Sequence, residues 1–174
     1  MSSTPPLSDI LMHTPPWVWG LLAGLVALGL LQTRRRQVGL ARAALLPAAM
    51  LAWSLWSVMA GFGSPLAAAA WALGALSTAA AVARLAPPAG ARWNAATRSI
   101  DLPGSWAPLG LILALFAVKF GTGVGLALHP ELRSDAVFAA GASLVFGAFS
   151  GVFAGRAAAL LRLATRPRGH AVAA

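Results

Sequence analysis

The chain has no cysteine, which excludes disulfides, thiolate metal sites and thiol redox chemistry. Carboxylates are almost as scarce. Asp9, Asp101, Glu131 and Asp135 are the only four, and none lies inside an apolar stretch. Three histidines, His13, His129 and His170, complete the small polar inventory. Acid–base catalysis needs two such groups converging on one place, and no spacing here supplies them. The chain is therefore expected not to be an enzyme and to carry no cofactor and no metal. Lysine occurs once, as Lys119; every other basic residue is arginine. An N-terminal stretch without Lys or Arg also lacks the basic region of a cleavable signal peptide, so the first apolar segment is expected to be a retained span.

What the chain has in quantity is apolar sequence: 59 % hydrophobic against 10 % charged residues, far from the mix of soluble domains. Five apolar segments are expected to cross a membrane, at about 16–32, 43–62, 65–86, 106–128 and 136–163. Together they form one integral domain, 1–174, with flexible tails at 1–15 and 164–174. Trp17, Trp19 and Trp106 fall at segment ends, where indole rings favour the headgroup level. Pro47 falls within the first turns of the second segment, where a missing amide donor is tolerated. Gly61-Phe62-Gly63-Ser64-Pro65 reads as the tight turn of a helical hairpin. The one sizeable connection, 87–105, reads as a short amphipathic β-hairpin placing Trp93 near Ile100, or as an irregular loop, at the cytoplasmic surface.

A net charge of +9 invites a nucleic-acid reading. The arginines, however, cluster at alternate ends of apolar segments and make no continuous face, which is the placement of a membrane protein. Eleven of the thirteen basic residues fall on one side of a five-span chain, leaving only Arg133 and Lys119. The positive-inside rule then puts the N-terminus in the periplasm and the C-terminus in the cytoplasm. The expected fold class is all-α. The expected partners are the lipid bilayer and either a second copy or another membrane protein, with no nucleic acid.

Small residues recur every fourth position in the fifth segment: Ser143, Gly147, Gly151, Gly155 and Ala159. Such a stripe allows close helix packing. Gly110, Ala114, Ala117, Gly121 and Gly125 share one side of the fourth segment, and the two stripes are expected to pack together because the helices are sequence neighbours. A homo-oligomer seam is the other reading. Lys119 lies on the opposite side, about 20 Å along its helix from Trp106. A lysine that deep costs at least ~2.5 kcal/mol on insertion scales. It can mark an anion or proton site with Thr122, Ser54 and Ser57 as neighbours, bond to helix carbonyls, or reach the interface with its long stem. Arg156 reads as snorkelling from the fifth segment, and His13 and His129 as outer-surface groups rather than ligands to a metal or haem.

Several strings are familiar together: His13-Thr14-Pro15-Pro16-Trp17-Val18-Trp19, Leu45-Leu46-Pro47, Leu102-Pro103-Gly104-Ser105-Trp106 and Gly147-Ala148-Phe149-Ser150-Gly151-Val152-Phe153. With them the chain resembles an uncharacterised family of small multi-pass inner-membrane proteins of proteobacteria, a domain of unknown function, from about Leu11 to Leu163. It departs from the pattern at Trp93-Asn94, where Tyr-Asp is expected. The resemblance implies a bacterial inner-membrane location, a helical fold and a basic residue at Lys119; it brings no activity with it. The expected function is that of a non-enzymatic structural or interaction component. The alternative is a small transporter or permease for an anion or a proton-coupled solute, using Lys119.

Overall fold

The computed structural model describes residues 12–85, 87 and 89–165. Helices α1 (Pro16–Leu31), α2 (Leu40–Phe62), α3 (Pro65–Arg84), α4 (Ala107–Leu128) and α5 (Ala136–Thr165) carry the apolar sequence. Among the described residues, α2 to α5 are long and apolar enough to cross a membrane, whereas α1 has 16 residues. At 1.5 Å per residue α1 spans about 24 Å, short of a bilayer core of about 30 Å. The expected tails and the end of the third segment at residue 86 fall largely outside the described residues.

Two boundaries and one element differ from expectation. The second helix begins at Leu40, not at residue 43, so Pro47 sits well inside it and interrupts its backbone ladder. A hairpin does form, from β2 (Arg92–Asn94) and β3 (Ser99–Leu102), with Trp93 opposite Ile100. It is not alone, because β1 (Arg36–Gly39) pairs antiparallel with β3 to make a three-stranded sheet in the order β1-β3-β2. The hairpin turn is set by Asn94, whose Oδ1 accepts from the amides of Ala96 (3.0 Å) and Thr97 (3.4 Å). Ile100 is fully buried on the inner face of the sheet.

Contacts divide the chain into two units: Met1–Arg34 with Ser105–Leu132, and Arg35–Gly104 with Arg133–Ala174. In the first, α1 packs on α4, and Gly29 lets the backbone of Leu109 come close; a Cβ there would stand 3.2 Å from the Leu109 Cα. The amide of Ser105 donates to the Gln32 carbonyl at 3.2 Å. The hydroxyl of Ser105 accepts from the amide of Ala107 at 3.2 Å, starting α4.

The second unit is built on α3 and α5. A Cβ at Gly147 would strike the Trp71 carbonyl, one at Gly151 the Ala75 carbonyl and the Thr78 hydroxyl, and one at Gly155 would come within 2.7 Å of the Ala79 carbonyl. Gly74 returns the fit, facing the Leu144 carbonyl. Contacts advance together along both helices, from 71 to 79 and from 147 to 155, so α3 and α5 run parallel. The glycine groove of α5 is therefore filled by α3, and the expected seating of the fourth helix in it is corrected. Ala67, Trp71, Gly74 and Ala75 form the complementary face on α3, whereas Gly110, Gly121 and Gly125 of α4 have nothing within 4 Å of a Cβ. α2 also packs on α5. Gly63 ends α2 in a left-handed turn, φ +59°, that lets Ser64 and Pro65 start α3 at once.

Candidate functional site

Lys119 belongs to the first unit. It lines an open cleft of about 540 Å³ between α1 and α4, walled by Trp17, Leu21, Phe116 and Phe120. The polar lining is small: Lys119, His13 and Thr14, the latter two at the start of α1. Phe116 and Phe120 stack with centroids 6.0 Å apart and give the cleft a flat apolar side. Thr122 is not part of the cleft lining, and Ser54 and Ser57 belong to the second unit. A cation on a long stem in the same cleft as two hydrogen-bonding groups can hold an anion, or can carry its charge along the cleft toward the helix ends.

Ser54 instead centres a half-buried polar cluster. The Trp71 indole N–H donates to its hydroxyl at 3.1 Å, and the Ser150 hydroxyl donates to it at 2.9 Å. The Phe146 carbonyl is a second acceptor for Ser150, also at 2.9 Å. This cluster ties α2, α3 and α5 together. About two turns beyond Trp71 on α3, the Thr78 hydroxyl bonds the carbonyls of Gly74 (2.7 Å) and Ala148 (2.9 Å), crossing from α3 to α5. Nothing in these groups supplies an acid–base pair or a nucleophile with its base; they hold helices in register. The sequence reading missed Trp71, Thr78 and Ser150, although Thr78 follows Gly74 and Ala75 at the spacing of one helix face.

A second cleft, of about 580 Å³, opens beside the sheet. Arg35, Arg36, Gln37, Arg92 and Asp101 are its polar lining. Gln37 and Arg92 both lie opposite Asp101 in the strand register, so these three share a face. The Arg36 guanidinium is pushed below its ordinary pKa, first by partial burial and then by the charge of Arg156.

The remaining expected residues sit at helix ends. Trp17 and Trp106 are exposed, and Trp19 is less so. His129 Nδ1 lies 3.0 Å from Glu131 Oε1. No group of three or more His, Asp or Glu among the described residues is placed to hold a metal ion.

The helices and the small sheet thus define a chain made mostly of apolar helices, four of them of membrane-crossing length. The chain belongs to a family of unknown function (DUF6622), whose sequence pattern matches residues 3–171. No curated protein and no solved structure matches it.

Proposed function

We propose that this chain is a multi-pass protein of the bacterial inner membrane that crosses five times and acts, without catalysis, as a structural or interaction component. The observation that carries the reading is α4. None of its most apolar 18-residue stretch is buried inside the chain, so its surface must be covered by lipid or by another membrane helix. Gly110, Gly121 and Gly125 leave that helix open to close approach. A second copy or another membrane protein is the partner of this reading, and nucleic acid is not.

Five crossings agree with the parallel run of α3 and α5. Two parallel spans need the chain between them to traverse the bilayer once, and α4 is the apolar helix between them. The short α1 crosses by local thinning of the bilayer, with Trp17 and Trp19 anchoring its outer end. The test is photo-crosslinking from Gly121 in native membranes. The reading expects a protein adduct of defined mass; adducts to lipid alone would overturn the interaction role.

A second reading, a permease for an anion or a proton-coupled solute, is favoured by the cleft that gathers Lys119, His13 and Thr14. In proteoliposomes it requires a flux that Lys119→Met abolishes while the protein still inserts. Insertion itself should survive, because that substitution removes a cost of ~2.5 kcal/mol or more.

A further inference from the structure

The cleft beside the sheet takes no part in either reading, and its chemistry is specific. Three arginines line it against one carboxylate, Asp101, which leaves two positive charges in excess. Arg36 also has Arg156 as a like-charged neighbour. Like charges lining one cleft repel, and an anion among them offsets that repulsion. The planar guanidinium forks match phosphate oxygens in pairs, which a lysine could not do. Gly90, φ +84°, folds the chain back against Pro103 to close one wall. The pairing of β1 with β3 is what makes this geometry, since it sets β1 and β2 on either side of β3 and brings Arg35 and Arg36 to the same cleft as Arg92 across a long stretch of sequence.

We infer that this cleft binds a phosphoester through Arg35, Arg36 and Arg92, carried either by an anionic lipid headgroup or by a soluble phosphate. The lipid source rests on the membrane reading above; the soluble source does not. Asp101 then limits affinity and orients Arg92 and Gln37 across the ladder.

The full chain, purified in an uncharged detergent, tests this by native mass spectrometry with equimolar phosphatidylglycerol and phosphatidylcholine. A separate arm titrates inorganic phosphate. The double substitution Arg36→Gln, Arg92→Gln should lower phosphatidylglycerol or phosphate retention about tenfold or more, the scale of one lost charge-assisted pair. Arg133→Gln, outside the cleft, should leave it unchanged. Asp101→Asn should strengthen retention, which keeps the test open if the double variant folds poorly. Retention of phosphatidylglycerol that millimolar phosphate cannot displace identifies the lipid source; saturable phosphate binding identifies the soluble one. Equal retention by the wild type and the double variant in both arms, or weaker retention by Asp101→Asn, would overturn the inference.

Discussion

Ser54 and Ser143 are both hydroxyls among packed helices, and their neighbours give them opposite effects on stability. Ser54 accepts from Trp71 and Ser150. Its removal strands an indole N–H in apolar surroundings, where an unmet donor costs about 1–3 kcal/mol. Ser143 is fully buried and its Oγ has no hydrogen-bond partner; it serves as a small residue whose oxygen is a liability. Ser54→Ala should therefore destabilise by about 1 kcal/mol, and Ser143→Ala should be neutral or stabilise by a similar amount. Thermal melts of both variants in one detergent check the pair, and a shared sign would refute the assignment.

Glu131 behaves differently because it is exposed. Its own backbone amide, then the hydrogen bond from His129, hold its carboxyl below the usual range, against a small opposing effect of desolvation. A depressed folded-state value means that the favourable contribution is present above the unfolded pKa, about 4.3, and is lost as pH falls through the folded one. His129→Leu removes the hydrogen bond and the charge of the imidazole but leaves the largest cause, the backbone amide, so the Glu131 midpoint should rise without reaching its unperturbed value. Carboxyl titration by infrared spectroscopy reads this directly.

Between helices, what decides is how close two backbones come. Gly151 stands where a side chain would run into the Ala75 carbonyl and Thr78. Gly151→Leu should separate α3 from α5, break the Thr78–Ala148 bond and cost at least the ~1–3 kcal/mol of an overpacked core. Gly121→Leu meets open space, so the melt of the isolated chain should stay unchanged while any partner seated on α4 is lost. A matched drop in both melting temperatures would contradict the packing described. The stripe at Gly147, Gly151 and Gly155 was legible because every fourth residue of a helix shares a side. Its occupant was not, since periodicity marks a face without saying what lies against it, and adjacency in sequence favoured the wrong helix. The complementary stripe on α3 was hidden by its many alanines, which blur any single face. β1 had no local signal either. Arg36-Gln37-Val38-Gly39 is extended because β3 offers it a ladder, and that pairing joins residues 60 to 66 positions apart. The cleft at Arg35, Arg36 and Arg92 depends on this pairing and was invisible for the same reason.

For the whole molecule, the arginine count and the sheet make the same demand by independent routes. On the proposed five-span path the connections at 33–39 and 85–106 lie at one end, because an even number of crossings separates them. The pairing of β1 with β3 requires this too, since strands in one sheet cannot lie on opposite sides of a bilayer. Arg35 and Ala95 should therefore face the same compartment and Arg133 the other. With no cysteine in the native chain, single substitutions Arg35→Cys, Ala95→Cys and Arg133→Cys each supply one unambiguous label. In intact spheroplasts an impermeant maleimide should reach residue 133 alone; after permeabilisation it should reach all three. If residues 35 and 95 label from opposite sides, the sheet and the five-span path fail together. If residue 133 joins them, α4 does not cross, and the parallel run of α3 and α5 would need some other route for the chain between them.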